Sequence, residues 1–398
     1  MTEIAANFQD WHPRRSTYLT RAQIVLADQT LSDSSVLVED GVIAAIEPGA
    51  APGGVDEVDL RGAWLMPGLI DLHCDALEKE VEPRPDVFFP IDFAVAQADR
   101  RNGAAGITTV FHALSFATEE LGVRNSDFAA EIARLVRGHA PHALVDNRIH
   151  CRYEITDESG LPAILTLVEE NAARLVSVMD HTPGQGQFKD VASYRTYLGR
   201  TYGKSREQAD ALIEAKFGRA KGAYERIGTL SAAARARGIT FASHDDDTVG
   251  RVDAMHRFGA TISEFPVTLE AAHAAKNHGM VTVFGAPNLL RGKSQSGSVR
   301  AHDAILAGVA DCLCSDYSPA SLLAAIFRLP ETAGIPLFEA VRLATRNPAM
   351  AAGLTDRGEI APGKRADLVI AVNQGEWPAT EAVYVAGRKV FQGRSAHG

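Results

Sequence analysis

The residues best equipped for chemistry are histidines and carboxylates that stand where apolar runs stop. Pro67-Gly68-Leu69-Ile70-Asp71-Leu72 leads into His73-Cys74-Asp75. Alternate side chains of an extended strand share a face, so His73 and Asp75 project together from its carboxyl end. Further runs end in Glu154, His181, His244 and Asp316. Imidazole nitrogen and carboxylate oxygen are the donors that zinc prefers, and manganese, iron or nickel accept the same set. One strand-end His or Asp is most often an ordinary polar terminus. Six in the same position predict one cluster around one or two divalent ions, with zinc the first expectation. His150, Arg152 and Glu154 alternate onto one face, and Glu154 at its tip is placed to bridge two ions. Asp316, last in the series, also suits the base that takes a proton from attacking water. His112 and Asp180 are candidates for orienting the donors. Asp245, Asp246 and Asp247 cannot all face one site, so one of them is expected to cap the helix that follows.

Those donors need a scaffold that gathers strand ends. Apolar runs at Leu69–His73, Ile107–His112, Arg148–Glu154, Leu175–His181, Ile239–His244, Thr261–Phe265, Met280–Gly285 and Cys312–Tyr317 alternate with helical patterns. Such alternation predicts βαβ units and a parallel sheet, and eight strands predict a closed (β/α)8 barrel with its site at the carboxyl ends. Helices are expected at Ala163–Arg174, Ser205–Arg237, Leu269–His278 and Leu337–Thr345, the last stopping before Asn347-Pro348. Before this region, short alternating runs flank Asp40-Gly41, a hairpin signal because the tight turn needs two positive φ angles. Ala366–Val372 and Ala382–Val390 read as strands too, so the two chain ends are expected to pair in one sheet.

A chain of 398 residues with 46% hydrophobic and 23% charged residues has the composition of a folded globular protein. Its longest apolar stretches fall far short of the roughly 18 residues that cross a bilayer. Met1 to Arg15 lacks the apolar segment of a secretory signal, so a cytoplasmic location is expected. The four cysteines lie in apolar surroundings and are read as reduced packing residues. A net charge of −10 without a basic stripe argues against nucleic-acid binding. A polyanionic small molecule would need a local basic pocket.

Pro67–His73, Gly106-Ile107-Thr108-Thr109-Val110 and Gly363–Val369 together resemble the amidohydrolase superfamily. That resemblance implies a metal-dependent hydrolase: a TIM-like barrel at 67–355 with a small β-sandwich domain formed from both chain ends, 1–66 and 356–398. Asp75 stands where the superfamily usually has a second histidine. More specific stretches are Leu72–Asp75 with Glu82–Pro85, Met179–Gln185, Ala242–Asp246, Gly285–Asn288 with Arg291-Gly292, and Ser315–Ser321. They are similar to the PhnM-type family of phosphonate metabolism, which implies release of diphosphate from α-D-ribose 1-methylphosphonate 5-triphosphate. On that reading His73, Asp75 and Asp316 hold one ion and His181 and His244 the other, with a single ion as the variant. The triphosphate is expected to meet Lys79, Arg84, Arg152, Asn288, Arg291, Lys293, Ser294 and Ser296, and the Asp180–Gln187 turn to close over it. Amide or cyclic-imide hydrolysis is the rival chemistry, and a non-catalytic scaffold the remaining one. Homo-oligomers and association with other phosphonate-pathway proteins are left open.

Overall fold

A computed structural model of the protein describes residues 16–47, 55–117, 125–186, 190–294 and 297–393. The chain ends build one mixed sheet. Its first strands are β1 (Thr17–Val25), β2 (Thr30–Glu39), β3 (Val42–Glu47), β4 (Asp56–Asp59) and β5 (Trp64–Pro67). Eight further strands, β6 (Leu69–Cys74), β7 (Ile107–Phe116), β8 (Asp146–Glu154), β9 (Ala173–Met179), β10 (Thr240–His244), β11 (Ile262–Glu264), β12 (Val281–Gly285) and β13 (Cys312–Cys314), form a second, all-parallel sheet. The chain then returns to the first sheet as β14 (Leu368–Gln374), β15 (Trp377–Val385) and β16 (Arg388–Gln392). There β14 pairs antiparallel with β5, which joins the two ends of the sequence as expected.

This end sheet curls around its own core of Leu19, Ile24, Val36, Leu65, Leu368 and Tyr384. The predicted hairpin at Asp40-Gly41 is present, with φ of 49° and 82°. Its tip meets the β15–β16 turn so closely that a Cβ on Gly387 would lie 2.9 Å from the Gly41 Cα. No side chain fits there, which is why both turns carry glycine.

In the parallel sheet each strand pairs with the next in sequence. The ring closes where Cys74 bridges to Asp316: the Asp75 N–H donates to the Asp316 carbonyl at 2.9 Å and the Asp316 N–H to the His73 carbonyl at 2.9 Å. All eight predicted strands are found. They are buried on both faces, as β7 shows over its whole length. Ile70, Leu72, Phe111, Leu175, Ile262 and Val283 fill the lumen. Ile149, Cys151 and Tyr153 of β8 pack outward against helices, so His150, Arg152 and Glu154 face inward as the alternation predicted. The four cysteines are buried and free.

The helices depart from expectation at three places. The segment Ser205–Arg237 is two helices, Arg206–Arg219 and Ala223–Ala236, because Gly222 takes a φ of 78° between them. The helix expected at Ala163–Arg174 runs Gly160–Glu169, and Ala173 already belongs to β9. The helix at Leu337 ends at Arg342, and Asn347-Pro348 lies inside a new helix, Arg346–Ala351, rather than beyond the last one. Pro348 sits in its first turn, where no backbone N–H is required. Helix Val191–Tyr202 packs on Arg206–Arg219 through Tyr194, Leu198, Ala209 and Ile213, a small core of their own. No described helix is long and apolar enough to cross a membrane.

A buried ion network fastens the barrel to the end sheet. Arg357, 7% exposed, donates to Asp146 at 2.7 Å and to Thr109 Oγ1 at 3.1 Å, and lies 3.8 Å from Asp367. Asp146 opens β8, and Asp367 directly precedes β14. Burial raises the Asp146 carboxyl, but Arg148 and Arg357 outweigh it and hold it below the usual range. Arg357→Met is therefore expected to lower unfolding stability by about 1–3 kcal/mol, since it removes charge-assisted bonds while Arg148 still pairs Asp146 and Arg365 still pairs Asp367. Urea denaturation of the purified variant measures this.

Candidate metal centre and phosphate cavity

The centre of the barrel mouth is a carboxylate that sequence reasoning passed over. Glu264 is fully buried at the end of β11. His73 Nδ1 lies 3.3 Å from one of its oxygens and His244 Nδ1 3.3 Å from the other, with His150 Nε2 at 3.6 Å. The rings of His73 and His244 stack with centroids 5.4 Å apart, and the Phe265 edge closes on both. One donor atom from each of His73, His244 and Glu264 falls within 4.8 Å of the others, the span that one cation can bind. Glu264 ends its strand just as Glu154 does. The run expected at Thr261–Phe265 extends one residue past it, so the acid read as strand interior.

The electrostatics suit a cation. Burial pushes His150 down to about 4 and His244 down to about 3, so both imidazoles are neutral at pH 7 and have lone pairs to donate. Burial alone would raise Glu264, but the neighbouring histidines and Arg152 hold its carboxyl below the usual range, and it stays ionised. Burial, reinforced by the charge of Asp75, raises Asp316 to about 7. Burial likewise raises Asp245 to about 6. An ionised carboxylate, neutral imidazoles and crowded acids form a donor set whose mutual repulsion a divalent ion relieves. Asp245, Phe265 and Asp316, each just past a strand end, take φ of 56°, 52° and 55°. Non-glycine residues seldom adopt that conformation, and where they do the site is commonly functional.

His73, Asp75, Arg152, His244, Asp245 and Asp316 line one cavity of about 700 Å³. Asn288, Arg291, Lys293 and Ser294 line the same cavity, as do Asp190, Ser193 and Tyr197 from the helical pair. Arg152 is 7% exposed, places Nη2 3.5 Å from His244 Nε2, and keeps an Nε with no hydrogen-bond partner among the described residues. Arg291 reaches the Tyr317 hydroxyl at 3.4 Å. The Asn288 amide is occupied within its own loop, accepting from the Ala301 N–H at 3.0 Å and donating to the Val299 carbonyl at 3.4 Å. Lys79 and Arg84 are exposed and do not line the cavity. Ser296 and Gln187 lie outside the described residues.

Glu154 and His181 make an adjoining cluster. His181 Nδ1 is 3.0 Å and Lys216 Nζ 3.7 Å from Glu154, which also accepts from Thr156 Oγ1 at 2.6 Å. Burial would raise this carboxyl, yet Lys216 and His181 hold it down at about 2. Lys216, on the helical pair, was not foreseen. It anchors that pair over the barrel. The three consecutive acids have three tasks: Asp245 faces the cavity, Asp246 is buried beneath it, and Asp247 accepts from the Gly186 N–H at 3.0 Å. The next helix is capped instead by Thr248, whose hydroxyl accepts from the Arg251 N–H at 3.2 Å. Asp180 lies 3.8 Å from Arg251, and His112 bonds Asn147 at 2.8 Å.

The model of the amidohydrolase family matches residues 64–390, spanning the barrel and most of the returning strands. The chain belongs to the amidohydrolase family. Among its relatives is α-D-ribose 1-methylphosphonate 5-triphosphate diphosphatase of Escherichia coli (strain K12), 37% identical over 378 residues, which cover 94% of this chain and 100% of that one. Solved structures with the same fold include N-acetyl-D-glucosamine-6-phosphate deacetylase from Mycobacterium smegmatis, with a TM-score of 0.64, 18% identity and coverage of 94% and 100% of the two chains. Dihydropyrimidinase from Brevibacillus agri aligns with a TM-score of 0.57 and 13% identity, over 95% of each chain. At these identities the two structures speak for the fold alone.

Proposed function

We propose that the chain hydrolyses α-D-ribose 1-methylphosphonate 5-triphosphate to α-D-ribose 1-methylphosphonate 5-phosphate and diphosphate, as a cytoplasmic step of phosphonate catabolism. The observation that carries this reading is a single cavity in which a buried donor set meets Arg152, Arg291 and Lys293. The relative of known activity supports it over its full length. A triphosphate brings about four negative charges and needs cations on several oxygens, for which arginine is well shaped. A neutral amide would bring no negative charge to those three side chains.

A divalent ion, zinc first and manganese, iron or nickel next, would be held by His73, His244 and Glu264 with Asp75 and Asp316 beside them, and would lend Lewis-acid charge to the phosphoryl oxygens and the attacking water. Asp316 is the acceptor for the proton that water gives up as the α–β anhydride opens. Arg152, Arg291 and Lys293 offset charge spread over the transferring group and the departing diphosphate. Neutral His150 donates from Nδ1 to the Leu72 carbonyl at 3.2 Å and accepts at Nε2 from the Ser177 hydroxyl at 2.7 Å, which fixes its ring 3.6 Å from Glu264. Glu154 and His181 would be the donors for a second ion. Lys216 already offsets the Glu154 charge, which favours one ion over two.

Diphosphate release from the ribosyl triphosphate, compared with turnover of an amide and cyclic-imide panel, decides between the two chemistries. Stripping with a chelator is expected to lower diphosphate release by more than about 100-fold, and zinc or manganese to restore it. Elemental analysis of the purified protein separates a hydrolase from a scaffold. Turnover of amides without diphosphate release would reject the proposal.

A further inference from the structure

Two buried aspartates lie one layer behind the donors. Asp246 is fully buried, and one of its oxygens accepts from both the Ser243 hydroxyl and the Ser263 hydroxyl, the latter at 2.6 Å. Ser243 immediately precedes His244 on β10, and Ser263 immediately precedes Glu264 on β11. Asp71, also fully buried, accepts from the Ser315 N–H at 3.0 Å and from its hydroxyl, and from the His73 N–H at 3.3 Å. Ser315 immediately precedes Asp316, at the seam where the barrel closes. Each aspartate thus crosslinks two neighbouring strands at the residue before, or two before, a donor.

We propose that Asp71 and Asp246 are positioning residues: two aspartate–serine crosslinks that set the spacing of His73, Asp316, His244 and Glu264 and so the affinity and geometry of the metal centre. This rests on the reading of that centre as a metal site. The physical reason is that strand ends fray. The ladder around β11 and β13 is only three residues long on each strand, too short to fix side-chain directions alone. The Asp246 carboxyl oxygen shared by two buried hydroxyls, and the Asp71 carboxyl bonded to the Ser315 hydroxyl and N–H, tie each pair of neighbouring strands together beside the donors. Groups that orient donors without touching the ion typically change affinity 10–100-fold when removed.

The experiment uses the full chain, its Ser315→Ala variant, the double variant Ser243→Ala/Ser263→Ala, and Asp246→Asn. Each is titrated with Zn(II) against a chromophoric chelator and then examined as the Co(II) form by visible absorption, with circular dichroism to establish folding. The serine variants are expected to fold, to bind Zn(II) about 10–100-fold more weakly and to shift the Co(II) ligand-field bands. Asp246→Asn combined with the double serine variant is expected to add little to either alone, since all three remove the same crosslink. Folded serine variants with the parent's Zn(II) affinity and Co(II) spectrum overturn the proposal. If Asp246→Asn fails to fold, the serine variants decide. A parent chain that binds neither Zn(II) nor Co(II) overturns the metal reading itself, a result distinguishable from intact binding in every variant.

Discussion

Glu264→Gln is expected to leave a folded barrel that no longer retains a divalent ion and releases diphosphate at least about 100-fold more slowly. The magnitude exceeds the 10–100-fold that loss of an orienting group causes, because here the donor itself is removed. Glutamine has the same shape but no charge, and its NH2 would face one of the two imidazole nitrogens that each now meet a carboxylate oxygen, His73 on one side and His244 on the other. Two effects follow. The anionic donor is lost, and His73 and His244 lose the acceptor that fixes their rings. Equilibrium dialysis with elemental analysis reads the first, and steady-state diphosphate release reads the second. A variant that keeps near-stoichiometric metal and full turnover would show that Glu264 is merely a buried acid among histidines. Glu154→Gln is the informative comparison, because that carboxylate is paired with His181 and Lys216 outside the main donor set. It is expected to cost much less.

Asp316→Asn is expected to lower kcat by about 10²–10⁴, the usual contribution of a general base. Its effect on stability runs in the opposite direction in the metal-free chain. Asp316 is raised from an ordinary aspartate value to about 7 by burial and by Asp75. A raised carboxylate destabilises the folded state as pH climbs from the unfolded pKa, roughly 3.9, through the folded one, and the penalty is complete above it. Asparagine cannot ionise. The metal-free variant is therefore expected to melt above the metal-free parent at pH 8, and the two to converge below about pH 4. Thermal unfolding in chelator at the two pH values checks the sign. A variant that is inactive and also less stable at pH 8 would point to a packing role, while one with parental kcat would remove Asp316 as the base. Stability gained where activity is lost is the ordinary signature of a site assembled against electrostatic strain.

The cavity also explains why charge on the whole chain is a poor guide to its ligand. The sequence carries a net charge of −10, yet Arg152, Arg291 and Lys293 all line the one cavity at the barrel mouth. Fields inside a low-dielectric cleft are set by the nearest groups, and distant surface acids are screened within about 10 Å at moderate salt. Arg152 matters most among the three, being almost fully buried beside His244.

Much of this molecule was legible from order alone. Hydrophobic runs of strand length alternating with helical patterns specify a parallel barrel, and that barrel delivers whatever ends its strands to one rim. His73, Asp75, His244 and Asp316 come to one cavity this way because each closes an apolar run, and Arg152 because alternation along β8 turns it inward with His150 and Glu154. Order alone put Glu154 at the centre and did not single out Glu264. Glu154 and Glu264 end their strands alike, and only the closure of the ring placed Glu264 between three imidazoles and gave Glu154 to Lys216 from a distant helix. The cationic loops were undecided for the same reason: Lys79 and Arg84 follow the first barrel strand and still face solvent, while Lys293 from a far later loop reaches the cavity. Periodicity is a local property that fixes the face on which a side chain lies. Pairing of charges buried together depends on contacts between residues as far apart as Asp71 and Ser315, and those exist only once the barrel has closed.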